Sequence, residues 1–178
     1  NLGIMYGMGK GKLAAQLDIS PDEAGDLLDT HREKVPFVKN LAELATKQAA
    51  KTGQIRTLLG RRCRFHLWEP TSFGYNKPLP YEEAMKTYGQ PLRRAFTYKA
   101  LNKLIQGSAA DQTKKAMADC YAEGLLPMLT VHDELCFSVE DDDQARRIKD
   151  IMENGLSDVL KVPSKVDDEL KDNWGEIE

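Results

Sequence analysis

Leu126-Pro127-Met128-Leu129-Thr130-Val131-His132-Asp133-Glu134-Leu135-Cys136-Phe137-Ser138-Val139 consists of two apolar runs separated by three polar residues. Each run is short and apolar, so each reads as a strand and the pair as a hairpin. Tight turns between strands draw Gly or Asn, which tolerate the backbone angles a turn imposes. His132-Asp133-Glu134 contains neither. Two adjacent carboxylates on a rigid hairpin supply the hard oxygen donors that Mg²⁺ requires. Two such ions about 4 Å apart can activate an attacking oxygen and stabilise a leaving one in phosphoryl transfer. Taken alone, the stretch leaves a merely solvated hairpin tip equally open.

Downstream, Asp141-Asp142-Asp143 opens a helix bearing Ile148, Ile151, Met152, Leu156 and Leu160, and acidic residues there suit the helix dipole. A last strand is expected around Val162–Leu170, before the tail Asn173-Trp174-Gly175. Upstream, a long helix is expected from about Arg93 to Glu123, with Gly107-Ser108 inside it. Residues 68–92 read as a Pro- and Gly-punctuated connection with a short helix near 81–88, and residues 54–67 as a hairpin turning near Leu59-Gly60-Arg61. Ser20-Pro21-Asp22-Glu23 has the form of a capping box with proline at the first helical position. Its helix should run to Lys34 and break at Val35-Pro36, and a second should end at Gly53. Residues 1–17 read as a helix broken near Gly7-Met8-Gly9. Helices first, then antiparallel strands with a packed helix, make an α+β chain.

The 178 residues carry 25 basic and 28 acidic side chains, and the net charge of −3 conceals a strong segregation. Residues 46–120 hold 14 basic against 5 acidic groups, whereas residues 121–178 hold 6 against 16. A basic middle beside an acidic end fits a protein that grips a polyanion with one surface and cations with another; two solvated faces of opposite sign fit as well. No run of about 18 apolar residues exists, so no membrane span is expected. No basic-then-apolar leader opens the chain. Cys63, Cys120 and Cys136 are odd in number and widely spaced, as reduced thiols of a cytoplasmic protein would be. The chain opens at Asn1 on helix-like sequence, which reads as a fragment.

Three further patterns carry chemistry. Asn102 and Gln106 lie four apart on one helix face, which thins into Gly107, Ser108 and Ala109. Two amides suit base edges or sugars, while Arg93, Arg94, Lys99 and Lys103 suit phosphates; helix packing with the amides in water is the bland alternative. Leu2 and Tyr6 also share a face beside glycines, where an aromatic ring can stack on a base; an ordinary amphipathic helix start is the bland alternative. Thr57-Leu58-Leu59-Gly60-Arg61-Arg62 places two arginines after a turn glycine, either as a phosphate clamp or as solvated charges. No G-K-[ST] follows the early glycines, which excludes a Walker site. His31 and His66 have no ligand partners at usable spacing and receive no role.

In this order the motifs resemble the C-terminal part of family A (DNA polymerase I-like) DNA polymerases, with spacing most like the bacteriophage branch. Asn1 to Met8 resembles the end of motif B on the fingers O helix, Thr57 to Arg62 the T-x-x-G-R-R turn, and Asn102 to Asp111 the helix with N-x-x-x-Q-G-[ST]-A-A-D. Val131-His132-Asp133-Glu134 resembles motif C, and Asn173-Trp174 the terminal N-W. Single-subunit RNA polymerases resemble H-D-S at motif C, so Glu134 argues for DNA synthesis.

The resemblance implies a fragment of a right-hand polymerase domain, with residues 1–53 in the fingers, 54–97 a hairpin and connector, and 98–178 part of the palm. It implies template-directed nucleotidyl transfer, with Asp133 binding the catalytic Mg²⁺ ions, Glu134 assisting and His132 near the primer end. Leu2, where the family often has Phe or Tyr, would lie by the sugar of the incoming dNTP, and Tyr6 at the nascent pair. Asn102 and Gln106 would contact primer–template DNA on its minor-groove side, with Arg61, Arg62, Arg93, Arg94 and Lys99 on phosphates. The two-ion site would be completed by a residue outside this chain, from the N-terminal part of the polymerase, and the isolated segment is expected to be inactive. The alternative is a non-catalytic DNA-binding module or a subunit of a split polymerase. The place of action would be the cytoplasm, that of a bacterial host if viral.

Overall fold

The computed structural model of the chain describes Gly3, residues 8–72, Gly74 and residues 76–176, so Leu2 and Tyr6 lie outside the described residues. The chain divides into two compact units, residues 1–106 and residues 107–178.

From Lys10 onward the first unit carries α1 (Lys10–Leu17), α2 (Pro21–Lys34) and α3 (Pro36–Thr52). α2 starts on a complete capping box: the backbone N–H of Glu23 donates to Ser20 Oγ, and the backbone N–H of Ser20 donates to the Glu23 carboxylate. Two otherwise orphaned donors are thereby satisfied. α3 follows after the single residue Val35, held out of the helical region by the proline behind it. α3 stops at Gly53, where φ is +72° and a Cβ would sit 2.7 Å from the guanidinium carbon of Arg94. The backbone angle favours glycine, whereas the Arg94 side chain could shift to make room for a Cβ.

The apolar stripes of these helices bury two small cores. Leu13, Ala14, Ala24 and Leu28 join α1 to α2, while Ala45, Ala49, Ile55, Phe65, Ala100 and Leu101 form the other. The expected hairpin is present as β1 (Gln54–Arg56) and β2 (Arg62–Arg64), antiparallel with Ile55 opposite Cys63.

Residues 67–94 depart from the expected connection. The helix near 81–88 forms as α4 (Tyr81–Tyr88), but its flanks pair as a three-stranded antiparallel sheet, β3 (Leu67–Pro70), β4 (Leu79–Pro80) and β5 (Leu92–Arg94), in the order β4-β3-β5. Strands of two to four residues are too short to show a period of two in the sequence. Tertiary contacts hold them instead: the rings of Trp68 and Tyr81 meet edge to face at 5.0 Å.

The long helix also starts later than the sequence implies. Arg93 and Arg94 belong to β5, the backbone N–H of Ala95 continues the sheet by donating to Leu67, and Phe96 takes a left-handed conformation with φ 62°. After a 3₁₀ turn at Thr97–Lys99, α5 runs from Ala100 to Ala122, beginning in the first unit and continuing in the second.

In the second unit, α5 turns at Gly124, with φ 77°, into β6 (Pro127–Val131), which pairs antiparallel with β7 (Glu134–Phe137). α6 (Asp142–Asn154) is capped by Asp141, whose carboxylate accepts from the backbone N–H of Gln144 at 2.8 Å. Cys120, Leu125 and Ile148 form the core, covered by Phe137, Val139, Ile151 and Met152.

The strand expected around 162–170 does not form. That segment is strapped down by side chains: Gln112 donates to Ser164 Oγ at 2.9 Å, the backbone N–H of Val166 donates to Glu153 at 3.0 Å, and Lys149 pairs with Asp168. A run of Asp and Glu with low strand preference finds partners on α5 and α6 rather than on a sheet edge. A second 3₁₀ turn, Trp174–Glu176, follows. No helix of the described residues is long and apolar enough to cross a membrane.

Candidate active site and nucleic-acid interface

Register decides what the β6–β7 hairpin presents. Val131 pairs with Glu134, so the connection is the two residues His132-Asp133 rather than the three polar residues read from the sequence, and Glu134 is the first residue of β7. A two-residue hairpin turn needs left-handed backbone, which normally selects Asn or Gly. His132 adopts it, with φ 56°. His132, Asp133 and Glu134 are all exposed, and among the described residues neither carboxylate has an ion-pair partner.

Alternation along β7 puts Glu134 and Cys136 on one face, opposite Leu135 and Phe137. The Cys136 thiol donates to Glu134 Oε1 at 3.4 Å. Burial pushes this thiol up, the bond to Glu134 and its charge push it further, and a hydrogen bond from the Trp174 side chain pulls it back. Sequence reasoning gave Cys136 and Trp174 no part in the site. The spacing of two between Glu134 and Cys136 was the available signal; the approach of Trp174 is tertiary and left none.

Among the described residues no group of three or more His, Cys, Asp and Glu side chains could hold a metal ion. Asp133 in the turn and Glu134 at the start of β7 nevertheless have the oxygen donors that could take a hard cation.

In the first unit, Asn102 and Gln106 sit one turn apart on α5, Asn102 half-buried and Gln106 exposed. Asn102 Oδ1 is buried and lacks a hydrogen-bond partner among the described residues. A buried acceptor without a donor is a rare and costly feature. Asn102 lines a cavity of about 560 Å³ with Tyr98, Lys10, His31, Arg32 and Lys39. Asp29 lines it too and pairs with Arg32, and Lys10 pairs with Asp22; this charged lining was not foreseen, because α1, α2, α3 and α5 come together only in the fold.

The arginines are held in different ways. Thr57, buried to 5% exposure, accepts from the backbone N–H of Arg61 at 3.0 Å, and Arg56 donates to the carbonyl of Gly60 at 3.0 Å. That turn presents Arg61 and Arg62 on the surface. Arg93 is ion-paired with Glu69 at 2.9 Å. Arg94 donates to the carbonyl of Phe65 at 3.0 Å and lies 4.4 Å above the Trp68 ring. Lys99 is exposed, 4.8 Å from the ring of Phe96.

The model for DNA polymerase family A matches residues 1–176. The chain is 39% identical over 162 residues to a DNA-directed DNA polymerase of Pseudomonas phage M6, covering 91% of this chain and 21% of the relative. It is 34% identical to DNA polymerase I of Rhizobium leguminosarum, covering 99% of this chain and 17% of that one. Among solved structures, the POL domain of Pol1 from M. smegmatis in complex with DNA primer-template and dNTP matches with a TM-score of 0.64 and 29% identity, covering 91% of this chain and 27% of that one. The chain thus spans about a fifth of the length of these sequence relatives.

Proposed function

The chain belongs to DNA polymerase family A, and from that membership we propose that it supplies the fingers-to-palm end of a DNA-directed DNA polymerase. Residues 1–53 serve as fingers, 54–97 as hairpin and connector, and 98–178 as palm. One observation carries the reading: an exposed pair of adjacent carboxylates at the hairpin tip, Asp133 in the two-residue turn and Glu134 at the start of β7, with the turn's first residue, His132, a non-glycine at φ 56°. Strained backbone of this kind persists where function holds it.

In this reading Asp133 holds Mg²⁺ together with a carboxylate from outside these 178 residues, contributed by the N-terminal part of the polymerase. When bound, the ions supply the Lewis acid that activates the primer hydroxyl and neutralises the departing pyrophosphate. Glu134 assists Asp133 and His132 approaches the primer end. Asn102 and Gln106 receive the minor-groove side of primer–template DNA, and the unpartnered Asn102 Oδ1 waits for a donor. Arg61, Arg62 and Lys99 meet phosphates, with Arg93 and Arg94 adding to the same positive field. Leu2 and Tyr6 flank the incoming dNTP and the nascent pair. The work is done in the cytoplasm, that of a bacterial host if the chain is viral.

The test joins the chain to a matching N-terminal half and follows primer extension in Mg²⁺. Asp133→Ala should lower kcat by about 10³-fold, the scale expected for losing charge stabilisation at the reacting centre. Unchanged extension would leave only a DNA-binding module, the second reading, which Lys39 in the cavity beside Asn102 and the basic middle of the chain favour.

A further inference from the structure

Register gives the β1–β2 hairpin two unlike faces. Ile55 and Cys63 lie opposite one another, and both pack on the core that Ala100 and Leu101 of α5 share with Ala45 and Ala49 of α3. Arg56 stands opposite Arg62, and Gln54 opposite Arg64. Alternation therefore gathers three arginines on the other face. All three are exposed, and among the described residues no carboxylate pairs with any of them.

Like charges directly opposite one another on a ladder are destabilising, and the local sequence offers nothing to offset them. No acidic residue occurs between Glu43 and Glu69, whereas Lys47, Lys51 and Arg61 add further positive charge. Arg56 is nevertheless anchored: its Nη1 donates to the carbonyl of Gly60 at 3.0 Å. Its other N–H donors have no partner among the described residues.

We propose that Arg56, Arg62 and Arg64 form a phosphate-binding strip on this face of the hairpin, gripping a nucleic-acid backbone without reading its sequence. A guanidinium fork matches two phosphate oxygens at once. A polyanion laid along the strip also neutralises the repulsion between Arg56 and Arg62. The turn motif marks Arg61 and Arg62; only the register adds Arg56 and Arg64 to the same surface. The strip rests on the chain facing DNA, as proposed above.

The test follows binding of the 178-residue chain to labelled primer–template DNA by fluorescence anisotropy across a range of salt. Each phosphate neutralised contributes about 0.9 to the slope of log K against log salt. Arg56→Gln and Arg64→Gln should each lower that slope by about 0.9, and by the same amount on two unrelated DNA sequences. Asn102→Ala should weaken binding with the slope unmoved. Denaturant unfolding should show Arg62→Gln and Arg64→Gln as stable as the parent chain.

DNA binding that loses affinity in Asn102→Ala but keeps its full slope in Arg56→Gln and Arg64→Gln overturns the strip alone. So does a loss confined to one DNA sequence, or a slope that changes only in variants that have lost stability. Slopes that fall for a poly-glutamate probe and not for DNA would assign the face to an acidic protein segment and overturn the proposal too. A chain that does not bind primer–template DNA at all would bring down the DNA-facing reading and the strip with it.

Discussion

His132 holds a left-handed backbone at φ 56°, a conformation that costs a side-chain-bearing residue on the order of 1–3 kcal/mol. His132→Gly should therefore leave the chain as stable or raise its stability by about 1 kcal/mol, measured by denaturant unfolding. The same change should abolish primer extension if the imidazole approaches the primer end. A loss of stability would mean that the imidazole packs structurally. The absence of Gly and Asn from this turn was legible in the sequence. The register was not, because Glu134 can end a three-residue turn or begin β7, and only its pairing with Val131 decides. Arg94 teaches the same lesson. Its stack on Trp68 and its bond to the Phe65 carbonyl bring together residues that sequence spacing keeps apart.

Helices with their own punctuation were read correctly from sequence: Ser20-Pro21 starts α2, Val35-Pro36 separates it from α3, and Gly53 ends α3. Local chemistry specifies them. The sheet of β3, β4 and β5 and the missing strand at 162–170 escaped, since both depend on what the neighbouring chain offers. The capping box is testable. Ser20→Ala should cost about 1 kcal/mol of stability in thermal or denaturant unfolding.

Glu23 adds a pH signature. The Ser20 side chain, then the Ser20 backbone N–H, holds its carboxyl below the usual glutamate range. A lowered folded-state value means stability that is fully present above the unfolded value and lost as pH falls through the folded one. The destabilisation caused by Glu23→Ala at neutral pH should therefore shrink below about pH 4. A difference independent of pH would show that the charged carboxylate does not act at the cap.

At the scale of the whole molecule, the second unit ends its sheet at two strands, and isolated two-stranded sheets are marginal. Met128, Leu129 and Val131 of β6 remain 66%, 43% and 37% exposed. If the rest of a palm completes this sheet, joining the N-terminal half should slow hydrogen exchange at β6 amides by at least about tenfold, while α2 amides stay unchanged. Equal exchange in both forms would contradict an incomplete palm. The segregated charge belongs to this scale as well. It is legible from composition, and it places the positive field on residues 46–120.

The central claim is that Asp133 holds the catalytic metal beside the primer end. Fe²⁺ substituted for Mg²⁺ in the joined polymerase, bound to primer–template DNA and supplied with hydrogen peroxide and ascorbate, reduces the peroxide to short-lived hydroxyl radicals that cut the backbone nearest the ion. The account predicts cleavage centred on residues 131–135 that disappears in Asp133→Ala. Cuts centred elsewhere in the chain, or cuts that persist in that variant, would contradict it.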